Sequence, residues 1–170
     1  MNDNAHDAYC RLHTIVSGGQ TGVDRAALDA ALATGLAIGG WCPRGRKALD
    51  GIIPEKYPLK ETPSSAYAQR TQWNVRDSDG TLILCDHAPT GGTALTIRHC
   101  IQLSKPHLIL QLPTRRQATE ADNTPQFLNW LHRHHIGVLN VAGPRENVTG
   151  NIYPRAYQML CITFRAIRSR

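Results

Sequence analysis

The chain has 170 residues, 41% of them hydrophobic and 19% charged, which is the make-up of one globular domain and excludes a disordered or fibrous protein. No apolar run approaches the roughly 20 residues of a membrane span. The formal charge of +6 favours an anionic partner, yet Lys and Arg cluster only at Arg44-Gly-Arg46-Lys47, Arg115-Arg116 and Arg165, Arg168, Arg170, with no basic stripe interleaved with aromatics, so nucleic acid is a poor candidate for that partner.

The N-terminal segment 1–11 is polar, with Asp3, His6 and Asp7, and reads as neither a signal peptide nor a transit sequence. A cytoplasmic protein is expected. The five cysteines (Cys10, Cys42, Cys85, Cys100 and Cys161) form no CxxC pair, which points to reduced, buried thiols rather than to disulfides or a zinc site.

From Leu12 onward, apolar strand-like runs alternate with helix-length segments, the pattern of a parallel sheet covered by helices on both faces. The expectation is a single Rossmann-like α/β/α domain over 12–170 with about five strands. The first strand, Leu12 to Val16, ends in Ser17-Gly-Gly-Gln-Thr-Gly22 and feeds a helix to Thr34, with Thr21 and Asp24 spaced as a capping box and Gly35 as its stop. Leu36 to Gly40 is a short second strand. From Trp41 to about Ser65 periodicity vanishes among Pro43, Pro54, Pro58 and Pro63. A connection of that length is usually functional or disordered, and Trp41, Ile52, Ile53, Tyr57 and Leu59 mark this one as packed.

A helix capped by Ser64 or Ser65 runs to about Arg76, and Thr81 to Cys85 is a third, fully buried strand. Ala88-Pro-Thr-Gly-Gly92 opens a helix from Thr93 to about Leu103. His107 to Gln111 is the fourth strand, Pro125 to about His135 a helix, Val138 to Val141 the fifth strand, and Pro154 to about Ile167 the last helix.

In such a sheet, ligands bind beyond the carboxyl ends of the strands where the strand order reverses. An order of 2-1-3-4-5 would put that point between the first and third strands, which are followed by the two glycine loops, Gly18-Gly19-Gln20-Thr21-Gly22 and Gly91-Gly92-Thr93. Each leads into a helix N-terminus that favours an anion. Either loop taken alone also serves as a plain tight turn. The first loop has neither the GxxxxGK nor the GxGxxG order, which argues against ATP hydrolysis and NAD chemistry.

Cations for such a site come from Arg25, from Arg44, Arg46 and Lys47, and from Arg70, which shares a helix face with Asn74, with Tyr67 a turn earlier. Each has a plainer role: Arg25 in an i,i+4 pair with Asp29, the loop arginines in a solvated turn. Trp41 and Trp73 read first as packing residues. Asp86-His87 is a weaker acid/base pair at the mouth of the third strand. His132, His134 and His135 close a helix, and Gly143-Pro-Arg145-Glu146 reads as rim.

Ile15-Val-Ser-Gly-Gly-Gln-Thr-Gly-Val-Asp-Arg25, Gly39-Gly-Trp-Cys-Pro-Arg-Gly-Arg46, Trp73-Asn-Val-Arg-Asp-Ser-Asp-Gly-Thr-Leu-Ile83, Gly92-Thr-Ala-Leu-Thr96 and Asn140-Val-Ala-Gly-Pro-Arg145 resemble the molybdenum carrier proteins. That family is similar in fold to the nucleotide-binding group that includes the cytokinin-activating phosphoribohydrolases and the DNA-processing protein DprA. The resemblance implies an oligomer (dimer or tetramer) whose cargo is molybdenum cofactor, a pterin with a terminal phosphate, delivered to a molybdoenzyme. Molybdate or a nucleotide phosphate is the alternative ligand.

The phosphoribohydrolases pair an Arg before the third strand with a Glu shortly after a Gly-Thr turn. Arg70 matches the first, whereas the Glu position is Thr96, and no acidic residue lies between Asp86 and Glu120. The expected ligand-binding set is therefore Ser17, Gly18, Gly19, Gln20, Thr21, Gly22, Arg25, Arg44, Arg46, Arg70, Asn74, Gly91, Gly92, Thr93 and Thr96, with Trp41 or Tyr67 flanking a pterin. No catalytic residue and no protein-held metal belong to it. The alternatives are a nucleotide sensor and a nucleotide-processing hydrolase that uses Asp86 or His87.

Overall fold

In the computed structural model, five parallel strands make the central sheet, and residues 11–112, 123–148 and 150–168 are described. Residues 1–10 with Cys10, the Arg115-Arg116 pair and Arg170 lie outside them. In chain order the elements are β1 (Thr14–Val16), α1 (Val23–Thr34), β2 (Ala37–Gly39), β3 (Trp41–Cys42), β4 (Lys47–Ala48), β5 (Gly51–Ile52), β6 (Lys60–Glu61), α2 (Tyr67–Arg76), β7 (Gly80–Cys85), α3 (Gly91–Gln102), β8 (His107–Gln111), α4 (Thr124–Arg133), β9 (Val138–Ala142) and α5 (Ile152–Arg168).

The sheet order is β2-β1-β9-β7-β8, so the last strand of the chain lies in the middle. This corrects the order 2-1-3-4-5, which placed the strand at 138 on the edge. β9 pairs in parallel with β1 (Ile15 opposite Leu139) and with β7 (Leu82 opposite Val141). Leu139 and Val141 are fully buried, and Asn140 Nδ2 donates to Thr81 Oγ1 at 3.3 Å, which satisfies the polar side chain in a strand with neighbours on both sides. Asp79 anchors the start of β9 by accepting the N–H groups of Gly137 and Val138.

Counted from β9 as the first strand, the order becomes 3-2-1-4-5, the arrangement of mononucleotide-binding sheets. Right-handed crossovers then send α1 and α4 to one face and α2 and α3 to the other, which agrees with the packing of α2 on α3, and α5, after the last strand, packs on α1 and α4. The switch point falls between β9 and β7.

The main core lies between the sheet and the α1/α4/α5 layer. Ala26, Ala27, Ala30 and Ala31 give α1 a thin face, and Ala156, Leu160, Phe164 and Ile167 of α5 belong to the same core. Each fully buried Leu, Ile or Phe contributes roughly 2 kcal/mol. The apolar stripe of the last helix is thus core packing, with Ile162 beside it exposed. Gly35, left-handed at φ 73, ends α1. Neither the expected capping box of Thr21 and Asp24 nor the expected cap by Ser64 or Ser65 forms. Gly22 precedes α1 and Ala66 precedes α2, neither helix has a side-chain cap, and Asp24 instead accepts the Gln20 N–H.

The stretch after β2, expected to lack regular structure, holds four two-residue strands in a parallel pair (β3, β6) and an antiparallel pair (β4, β5). Ile53, Tyr57 and Leu59 form a small second core with Leu28 and Cys42, while Ile52 points outward. Cys42, Cys85, Cys100 and Cys161 are buried free thiols. Among the described residues no helix is long and apolar enough to cross a membrane.

Candidate functional site

A cleft of about 470 Å³ opens at the carboxyl ends of β7 and β9. All the helices begin at this end of the parallel sheet; α1, α3 and α5 start in the loops that follow β1, β7 and β9, and what occupies these three N-termini bears on where an anion can bind.

At α1, Asp24 is buried in the first turn and takes the Gln20 N–H at 3.2 Å. Burial pushes its carboxyl above the ordinary carboxylate value, against the opposing pull of Arg70. Arg70 Nη1 stands 3.1 Å from Asp24 Oδ2, and both side chains are largely buried. At α5, Glu146 reaches forward to accept the N–H groups of Ile152 at 3.0 Å and Tyr153 at 2.9 Å. Both helices therefore already hold a carboxylate of the chain. α3 differs: its first turn has no acidic residue, Thr90 makes no side-chain cap, and the N–H groups of Gly91 and Gly92 meet no acceptor among the described residues.

The cleft brings together Gln20, Arg70, Gly91, Gly92, Thr93 and Thr96 of the expected set, with Tyr67. Thr96 Oγ1 donates back to Gly92 O at 3.0 Å. Arg70 lies so close over Gly18 that a Cβ there would overlap its guanidinium, and its Nε is buried without a hydrogen-bond partner. Cys85, whose thiol burial pushes up, and Asp86, His87 and Pro89 line the β7 side.

The rest of the expected set sits elsewhere. Ser17 donates to Val141 O, tying β1 to β9. Gly19, left-handed at φ 72, faces Ile53 and Leu59, and Gly22, at φ 82, abuts the backbone of residues 144–146. Thr21 Oγ1 accepts the Glu146 N–H. Arg25 forms a two-pronged pair with Asp50 and also donates to Gly19 O, so it clamps the β4–β5 turn to the first loop. Thr21, Gly22 and Arg25 line a separate, wider concavity of about 950 Å³.

Arg46, left-handed at φ 50, donates to the carbonyls of Ile53, Pro54, Tyr57 and Leu59, which makes it the keystone of the long loop. Arg44 is exposed. Asn74 bonds both backbone groups of Trp41, and Trp41 packs edge-on against Trp73 with its indole N–H on Asp77. None of these lines the cleft, and neither do His132, His134 or His135.

Sequence reasoning put the loop after β9 only at the rim. Gly143, Pro144 and Arg145 line the cleft between the other two walls, and Arg145 is exposed with no hydrogen bond or ion pair to any described residue. The motif Asn140-Val-Ala-Gly-Pro-Arg145 was visible. Its place in the middle of the sheet was not.

The sequence profile of the Circularly permutated YpsA SLOG family matches residues 15–164. The chain belongs to that family. A permuted member of a Rossmann-like group accounts for the sheet, in which the strand that would come first stands last in the chain. This YpsA SLOG chain is also 44% identical to a protein described as "Putative molybdenum carrier protein" from Syntrophus aciditrophicus SB, whose crystal structure was determined at 1.45 Å. The match covers 91% of this chain and 95% of that one, with a TM-score of 0.83. Among curated proteins none matches.

Proposed function

We propose that this protein binds and carries a phosphate-bearing molybdenum cofactor, with the phosphate on the open N-terminus of α3. The observation that carries this reading is the contrast among the starts of α1, α3 and α5: α1 and α5 hold carboxylates of the chain, while α3 offers the free N–H groups of Gly91 and Gly92 beside Arg70 and Arg145. Oriented N–H groups and guanidinium forks are the donors that phosphate oxygens fit best. The description of the 44% identical relative as a putative molybdenum carrier supports the cargo.

Thr96, where the phosphoribohydrolases have Glu, supports carriage over hydrolysis. Its hydroxyl is spent on Gly92 O and supplies no general acid or base for a glycosidic bond. The molybdenum is cargo, and residues of the cleft hold the organic part. A cytoplasmic oligomer, a dimer or tetramer that hands its load to a molybdoenzyme, completes the proposal.

The test is to denature protein purified without oxygen and to analyse what is released. Molybdenum together with oxidised pterin is the expected result. A nucleotide with no molybdenum under any growth condition would replace the carrier with a sensor.

A further inference from the structure

One wall of the cleft is acidic. Asp86 follows β7 directly, its side chain is only 16% exposed, and its Oδ1 is buried with no hydrogen-bond partner among the described residues. The nearest cationic groups stand off, His87 Nε2 at 3.4 Å from Oδ1 and Arg155 Nη1 at 3.9 Å from Oδ2. Arg155 turns its Nη2 to Leu112 O at 2.9 Å instead. A buried carboxylate oxygen without a donor is unfavourable, and buried acceptors nearly always have partners. His87 is 64% exposed, so a ligand edge approaching Asp86 displaces only a solvent-facing ring. Among the described residues no three His, Cys, Asp or Glu side chains are placed to hold a metal that Asp86 would serve.

We infer that Asp86 selects the ligand's ring by accepting the paired N–H donors of a 2-amino-4-oxo-pyrimidine edge, the edge shared by pterin and guanine. A carboxylate presents two acceptors side by side and matches two adjacent donors, as it does with a guanidinium fork. Adenine offers a donor next to an acceptor on the corresponding edge, so one carboxylate oxygen would face a lone pair. A sugar diol is the competing pair of donors. The same cleft is lined by the apolar Cys85, Pro89, Leu95, Ala142 and Pro144, which suit the faces of a ring. The inference rests on the proposed phosphate site, since the ring reaches Asp86 only if α3 holds the other end.

Calorimetric titration with guanosine, adenosine and xanthosine monophosphates, 2′-deoxyguanosine monophosphate, a pterin carrying a methyl phosphate, and inorganic phosphate tests it. The protein should bind the guanine compounds and the pterin phosphate at least tenfold tighter than the adenine and xanthine compounds. Preference for the pterin over guanine would assign the edge to pterin, and equal affinity would assign it to the ring class. Asp86→Asn, which turns one acceptor into a donor, should lose at least tenfold for guanosine monophosphate, gain for xanthosine monophosphate and leave inorganic phosphate unchanged.

Equal binding of guanosine and adenosine monophosphates overturns the inference, as does a matching loss for the 2′-deoxy compound. These comparisons use the unaltered protein and stand even if the variant fails to fold. Phosphate binding without ring preference overturns the role of Asp86 alone. No binding of any phosphate compound overturns the proposed site as well.

Discussion

The two glycine loops look alike in the sequence and do opposite work. In the loop after β1, glycine is required because other atoms occupy the space: Arg70 lies on Gly18, Leu59 and Ile53 on Gly19, and the backbone of residues 144–146 on Gly22. In the loop after β7, a Cβ on Gly91 or Gly92 would meet nothing within 4 Å. The first loop is a packing joint between β1, the long loop and the β9–α5 connection. The second is an open surface with unpaired donors. A glycine-rich turn therefore leaves room for a ligand only when the space it opens stays empty.

Substitutions should separate the two. Gly22→Ala forces a left-handed residue against backbone, with Glu146 N and Pro144 O each 2.6 Å from the new carbon. Strain and overlap together predict a loss of about 4 kcal/mol in urea unfolding. A loss below about 1 kcal/mol would show that the joint yields. Arg70→Ala leaves Asp24 buried without its cation, and a loss of about 3 kcal/mol is expected, relieved in part by adding Asp24→Asn. If the second change gives no relief, the two side chains are not coupled.

The open loop behaves differently. Gly92→Asp sets a carboxylate in the first turn of α3, as Asp24 already does in α1, so stability should hold or rise by about 0.5 kcal/mol while phosphate affinity falls at least tenfold. Unchanged affinity would place the anion elsewhere.

How far the sequence reveals this contrast can be judged from single residues. Gly35 marks the end of α1 because a left-handed stop is a local event. The strands at 14, 80, 107 and 138 are likewise visible as short apolar runs. Strand order is not local: nothing within Val138–Ala142 says that it pairs with both β1 and β7, and Asn140 in its centre disguises a buried strand. That single missing fact moved the switch point by one strand, gave the first loop a ligand role and left Arg145 at the rim. Arg46 shows the same limit, since a basic cluster reads as solvated or anion-binding and only the folded loop brings four carbonyls to one guanidinium.

The smallest expected effect concerns the clamp on the packing joint. Arg25 holds the Asp50 carboxyl below its ordinary value of 3.8, so its contribution is complete above that pH and is lost as the pH falls through the lower, folded-state value. Half of the Asp50 side chain is exposed, and solvent screening keeps the effect of Asp50→Asn well under about 1 kcal/mol at neutral pH. The difference between the two proteins should shrink as the pH falls below 3.8 and vanish only below the folded-state value. A difference that persists there would assign Asp50 another role.

In the proposed site the loop after β7, and not the loop after β1, receives the anion. Following the backbone N–H resonances of Gly18, Gly19, Gly22, Gly91 and Gly92 while inorganic phosphate is added tests it most directly. The account predicts saturable shifts at Gly91 and Gly92 with the other three nearly still. Shifts confined to Gly18, Gly19 and Gly22 would contradict it.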